Sequence, residues 1–377
     1  MIGTRLQQAR RAAGLSLREL AVKAGISAMA LSKYEREIMT PAAGSLEKLA
    51  HALSVKTDFF YSPIKVAIEE PSFRMLGNVS QRDREKLKFD IQENLERLID
   101  LEHIFGVTRS TLFKVPATVT REISSLNEIE VRADALRLHW NLGMAPIENV
   151  ACILEEQGIK VFISETPQGI DGFSCRARGN WVNTREAPVI VCGRDLSGDR
   201  QRFSLLHELG HLVITVAAGI DSERACHRFA SAFLVPREAV EKELGKKRSR
   251  LSFYELRILK KKYGMSMQAW IYRASDLAII GKTSAQELFA EMSRRGWRKS
   301  EPCDIDREEP RRYKLLLFQA VMEGLITKRQ AFEFLGTSGA HEQHDLEQAA
   351  SLISDEYEKE WVYEELTDLF QEGFSDE

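Results

Sequence analysis

The sequence contains no apolar run long enough to cross a membrane. Of its 377 residues, the longest apolar stretches, such as residues 212–218, fall well short of the roughly 20 residues that a membrane span requires. The first residues also lack the apolar core of a secretory signal. A soluble, cytoplasmic chain with no membrane partner is therefore expected. Cysteine is scarce: Cys152, Cys175, Cys192, Cys226 and Cys303 make five, widely scattered and without a Cys-x-x-Cys pair. That excludes a zinc knuckle or a redox couple and predicts reduced, mostly buried thiols. Net charge is also small, at −3. It conceals an asymmetry, because residues 1–60 carry nine Lys/Arg against five Asp/Glu while residues 301–377 carry seven against twenty. The N-terminus suits a phosphate-bearing partner, and the acidic end does not.

What is present begins with 44% hydrophobic residues, enough for globular folding throughout, in a chain too long for a single ordinary core. Ser16-Leu17-Arg18-Glu19 is a capping box, in which the Ser hydroxyl takes an orphan amide and Glu19 reaches back to the cap. It opens a short helix that Gly25 ends. A helix over residues 4–13 closed by Gly14, a third from Ser27 to about Arg36, and a fourth over residues 45–53 surround it. Leu6, Leu20, Ala21, Ile26, Leu31, Leu46 and Leu49 have the spacing of one shared core. Two short helices separated by Gly25-Ile26-Ser27 form a helix-turn-helix.

Residues 3–60 resemble the XRE (Cro/C1-type) helix-turn-helix family. The resemblance is carried by Leu6, Arg10, Gly14-Leu15-Ser16, Glu19-Leu20-Ala21, Gly25-Ile26-Ser27, Leu31-Ser32-Lys33-Tyr34-Glu35, Pro41 and the Leu46 to Leu49 helix. It implies that the third helix enters the major groove of double-stranded DNA, with Ala28, Met29, Ser32 and Lys33 facing bases or phosphates. A balance of +4 is modest for a DNA reader, so tight binding calls for a homodimer. The competing reading is a module for protein contacts.

Pro63 and Pro71 bracket a linker. An amphipathic helix follows over residues 80–105, with Leu87, Ile91, Leu95, Leu98 and Leu101 on one face. Beyond residue 120 a helix is expected over residues 128–142 and another from Pro146 to Glu156. Strands are expected at residues 159–163, 181–183 and 189–192, forming a small sheet. Next comes His207-Glu208-Leu209-Gly210-His211. Imidazoles at i and i+4 share one face of a helix and can share one metal ion, leaving Glu208 beside it to act on water. Asp199 is placed to cap this helix, and Phe203, Leu206, Leu209, Gly210 and Val213 to bury it.

A further helix over residues 222–234, ended by Pro236, aligns Glu223, Cys226, His227 and Ala230 on one face. Folded back on the first, it offers Glu223 as a third ligand, giving a two-His, one-carboxylate zinc site with an open position. Asp221 and His227 are the alternative third ligands. The longer metzincin pattern is excluded by Ile214 and Ala217.

From about Ala133 to Ala278 the chain resembles the ImmA/IrrE family of metallopeptidases. The residues that carry this are Arg137, Trp140, Gly143, Pro146-Ile147, Leu154-Glu155, Gly158, Asp171-Gly172, Asn183, Arg202-Phe203-Ser204, His207 to His211 and the Glu223 to Pro236 run. The resemblance implies a zincin-like, gluzincin-type domain with Zn2+ held by His207, His211 and Glu223 and with Glu208 as general base. His227 departs from the family, which commonly has Asn there. Tyr254, Tyr263 and Arg202 are candidates to stabilise an oxyanion.

The expected architecture is α+β but mostly α, in four parts. Residues 1–62 form an all-α helix-turn-helix domain, residues 63–120 a linker and long helix, residues 121–280 the metallopeptidase domain with its small sheet, and residues 281–377 an acidic helical extension. In that extension helices are expected over residues 285–294, 313–323, 328–335 and 346–370, with a loop at residues 336–344. The leading functional expectation is a transcriptional regulator with a zinc-dependent endopeptidase that cleaves a regulatory protein such as a repressor or antitoxin. A regulator whose zinc fold only senses, and an effector of a toxin-antitoxin or defence module, are the alternatives.

Overall fold

The computed structural model describes residues 1–69, 79–106 and 111–335. The expected helix over residues 346–370 and loop over residues 336–344 lie outside these. Contacts divide the described residues into two units, the first within residues 1–93, 111–180 and 184–310 and the second holding the rest.

In the first unit, α1 (Ile2–Ala12), α2 (Leu17–Ala24), α3 (Ala28–Glu35) and α4 (Ala43–Leu53) precede a short 3-10 turn at Thr57–Phe60. The capping box is present, with Ser16 accepting from the Glu19 amide and Glu19 from the Ser16 amide. Gly25 ends α2 at φ 64°, a conformation that a residue without Cβ adopts at little cost. Leu6, Leu20, Leu31, Leu46 and Leu49 form the core, with Phe60 beneath them and Ile26 and Phe89 at its margin. Arg10 and Glu35 make two parallel hydrogen bonds of 2.6 and 2.9 Å, which tie α1 to the end of α3.

A short strand, β1 (Val66–Ile68), follows where only linker was expected. It pairs antiparallel with residues 177–179. The helix α5 (Gln81–Phe105) has the length that its heptad-like apolar spacing predicts. After the single turn α6 (Ala117–Thr120) come α7 (Glu128–His139) and α8 (Val150–Glu156). The α8 helix begins at Asn149, whose side chain caps it by accepting from the Cys152 amide, rather than at Pro146.

The sheet has the order β1-β3-β4-β2, built with β2 (Lys160–Ser164), β3 (Gly172–Gly179) and β4 (Glu186–Gly193). β3 and β4 are antiparallel, and β2 and β4 parallel. This corrects the expectation at residues 181–183, which lie in a bend between β3 and β4. The strand missed in the sequence is β3, where Phe173, Cys175 and Ala177 are buried and Ser174, Arg176 and Arg178 point the other way. That period-2 alternation is a half-buried strand's signature.

Against the sheet lies α9 (Gly198–Val213), with α10 (Ser222–Leu234) packed on α9; α11 (Arg237–Leu244), α12 (Phe253–Tyr263), α13 (Met267–Asp276) and α14 (Lys282–Arg294) follow. One apolar core joins them, running from Leu136 and Leu154 through Leu205 and Leu209 to Phe229, Phe233, Trp270 and Ile271. Asp199 does not cap α9. Ser197 holds the cap position without a side-chain bond, and Asp199, in the first turn, pairs with the buried ammonium of Lys260 at 3.0 Å.

In the second unit, α15 (Arg312–Met322) and α16 (Lys328–Leu335) follow the expected pair of helices. Leu317, Ala320, Ile326 and Leu335 pack with Leu101. Tyr313 closes the pair by donating to the Phe334 carbonyl at 2.6 Å. Among the described residues no helix is long and apolar enough to cross a membrane.

The helices around the first unit's core are locked by a buried ion pair. Arg273, wholly buried on α13, donates to both carboxylate oxygens of Glu130 on α7 at 2.6 and 2.7 Å. Arg228 of α10 adds a contact at 3.3 Å. Burial alone would push the Glu130 carboxyl up, but the hydrogen bonds and charges of Arg273 and Arg228 hold it below its ordinary range. The associated stability is thus present above the ordinary carboxylate pKa and is lost as pH falls through the depressed folded value. Arg273→Ala strands a buried carboxylate and should cost about 3–5 kcal/mol, measured by denaturant unfolding at neutral pH, with the deficit shrinking in acid.

Candidate metal centre

The helix α9 carries His207 and His211 one turn apart, and their Nε2 atoms are 3.2 Å from each other. The helix α10 crosses it closely: a Cβ on Gly210 would lie 3.2 Å from the Cα, Cβ and Sγ of Cys226, so a larger residue at Gly210 would push the two helices apart. Asp221 caps α10 by accepting from the Arg224 amide, which engages one of the alternative third ligands. Glu223, in the first turn, then reaches the two imidazoles, with Oε2 3.2 Å from His207 Nε2 and Oε1 3.4 Å from His211 Nε2.

These spacings test whether the residues fit a metal. Zinc bonds of about 2.0–2.1 Å place the ligands of a tetrahedral site about 3.3 Å apart. The three separations of 3.2, 3.2 and 3.4 Å, the last two made by different oxygens of Glu223, are close to that edge length. The chemistry fits as well. Burial, then the charges of His227 and His211, push His207 down to about 4, and burial also lowers His211. Both rings are neutral near pH 7, with lone pairs free to bind a cation. Burial pushes the Cys226 thiol up to about 12, so it remains protonated, and its Sγ lies 3.5 Å from His211 Nδ1. With Nε2 turned to a metal, His211 carries its proton on Nδ1, facing that sulfur.

Glu208 points from the same helix toward β3. It is almost fully buried, and its Oε2 accepts a 2.8 Å hydrogen bond from the Ser174 hydroxyl. Burial pushes its carboxyl up to about 7, with the Ser174 bond lowering it and Glu223 raising it. A carboxyl held near neutrality can both accept and release a proton. Ser174 escaped the sequence analysis because β3 did.

His207, Glu208, His211 and Glu223 line an open cleft of about 1600 Å3, along with Gly172 to Arg176 of β3, Phe203, His227, Tyr272 and residues 298–301. Tyr254, Tyr263 and Arg202 do not line it. Arg202 is buried and spent on Glu308 at 2.6 Å and on the Ile147 and Glu148 carbonyls. Tyr263 donates to Glu243, and Tyr254 is exposed elsewhere. In the helix-turn-helix, Ala28 and Met29 of α3 are exposed and Ser32 and Lys33 half-buried.

The fold and this cleft define a helix-turn-helix domain joined in one chain to a metallopeptidase-like domain. The family models agree: residues 6–60 match the model described as helix-turn-helix and residues 154–275 the one described as IrrE N-terminal-like domain. The chain thus carries an XRE-type helix-turn-helix domain at its N-terminus and an IrrE-like domain of the peptidase family behind it. No curated protein matches it. Among solved structures, Bacillus thuringiensis PlcR in complex with the peptide PapR7 and DNA aligns over 98% of this chain and 94% of that one at 11% identity. The TM-score of that alignment is 0.18.

Purified protein should contain about one zinc per chain, and His207→Ala, His211→Ala and Glu223→Ala should each hold it far more weakly through dialysis, because each removes one of the three donors at ligand spacing. Metal analysis of the dialysed variants checks this, and undiminished zinc in Glu223→Ala would move the third ligand to His227.

Proposed function

We propose that this chain is a DNA-binding transcriptional regulator whose zinc-dependent endopeptidase domain cleaves a regulatory protein, a repressor or an antitoxin, and so changes transcription. The observation that carries this reading is the trio His207, His211 and Glu223 at ligand spacing with the buried Glu208 carboxyl beside it, all opening on one cleft. When bound there by these three residues, zinc would supply Lewis acidity to a water and to the scissile carbonyl. Glu208 takes the water's proton and later delivers it to the leaving amine. Ser174 keeps the carboxylate aimed by donating to Oε2. Residues of β3 and residues 298–301 line the same cleft, whose volume of about 1600 Å3 leaves room for an extended peptide.

The helix-turn-helix supplies the address. The α3 residues Ala28, Met29, Ser32 and Lys33 face the major groove, and the balance of nine basic to five acidic residues over residues 1–60 contributes a modest phosphate attraction that a homodimer would double.

Glu208→Gln distinguishes an enzyme from a sensor. The amide keeps the carboxyl's shape and the Ser174 bond but cannot take a proton. Zinc content, folding and DNA binding should stay unchanged, while cleavage of the partner protein and the transcriptional response should be lost together. Full regulatory output from a zinc-loaded Glu208→Gln protein would contradict the peptidase reading.

A further inference from the structure

His227 lines the cleft and has no part in the mechanism above. His227 lies one turn beyond Glu223 on α10, so the two side chains rise from the same face of the helix. The donor atoms of His207, Glu223 and His227 all lie within 4.8 Å of one another. The His227 ring is exposed but held in place, stacked on Phe203 with centroids 5.7 Å apart at 27° and 4.4 Å from the centroid of His207. This set overlaps the trio of His207, His211 and Glu223 and shares His207 and Glu223 with it.

We propose that His227 is a fourth, exchangeable donor that closes the metal site when no substrate is bound. The proposal rests on the reading that His207, His211 and Glu223 hold a metal; it does not depend on proteolysis. The donor atoms of His227 lie within 4.8 Å of those of His207 and Glu223, no more than about 1.5 Å beyond the tetrahedral edge. An exposed imidazole covers that by small rotations about its two side-chain torsions. With three protein ligands a zinc site keeps a position for substrate, whereas with four it is saturated. His227 stands at the solvent end of the cleft while Glu208 is buried at its floor. Displacing His227 therefore leaves the three other donors and the general base where they are. Phe203, which lines the same cleft, offers the displaced ring an apolar surface to rest on. A peptide carbonyl would have to compete with His227 for the metal, which would keep the resting centre inert toward small or weakly bound peptides.

The test uses the full chain loaded with zinc, and separately with cobalt(II) as a coloured substitute, for the native protein and for His227→Ala, His207→Ala, His211→Ala and Glu223→Ala. His227 is exposed, so His227→Ala should fold, and equal melting of the metal-free native and variant proteins confirms it. In chelator competition His227→Ala should bind zinc about tenfold or more weakly than the native chain, short of the loss in the other three variants. The cobalt spectrum of His227→Ala should weaken, and azide should perturb it at concentrations that leave the native spectrum unchanged. Equal zinc affinity and equal azide response in the native chain and His227→Ala, with metal lost from the other three variants, would overturn the proposal and leave the three-donor reading intact. Metal retained in His207→Ala, His211→Ala and Glu223→Ala would overturn both.

Discussion

The close crossing of α9 and α10 at Gly210 and Cys226 is the constraint on which the centre depends. A side chain at Gly210 would press on the Cys226 backbone. Because the helices meet there, the first turn of α10 reaches back over the histidines of α9. Glu223 then arrives within 3.4 Å of both Nε2 atoms without a long loop to position it. The same crossing buries the Cys226 thiol against the far side of the His211 ring, fixing that ring's orientation. Preorganisation of this kind lets a metal bind without ordering a flexible loop first.

Around this crossing, charged side chains buried in pairs set where the helices end and turn. Glu130 links α7 to α13 and α10 through Arg273 and Arg228. Arg137 gathers the carbonyls of Gly143, Ala145 and Phe233. Arg202 carries Glu308 onto α9, and Lys260 holds both Asp199 and Glu301. Buried pairs of this sort add little net stability over well-packed apolar residues, but removing one partner is costly. Here they fix the frame in which α9 lies against the sheet, with Glu208 facing Ser174 and the histidines facing α10.

The helix-turn-helix was almost fully legible in the sequence because its signals are local. Ser16 and Glu19 close a box three residues long, Gly25 stops a helix, and the leucines recur at helical spacing. The His-Glu-x-x-His turn was legible for the same reason, since i and i+4 meet on any helix. β3 was readable but overlooked, its alternation of Phe173, Cys175 and Ala177 passed over for the aromatic Trp181. The three-residue β1 is too short to carry a pattern and exists only because β3 offers it an edge. Long-range pairings left no mark either: Asp199 looked like a cap because its partner Lys260 is 61 positions away, and Arg202 looked free for chemistry because Glu308 lies far downstream. Ser174 reached Glu208 only once β3 was placed.

The central claim is that His207, His211 and Glu223 together hold one metal with Glu208 beside it and outside its ligand set. Anomalous diffraction from zinc-loaded crystals, recorded on both sides of the zinc absorption edge, tests it most directly. The account predicts one strong peak per chain, about 2.0–2.2 Å from His207 Nε2, His211 Nε2 and a Glu223 oxygen, with the Glu208 carboxyl outside bonding distance and still on Ser174. A peak bonded to Glu208 or to Cys226, or no peak between α9 and α10 in protein that retains zinc, would contradict it.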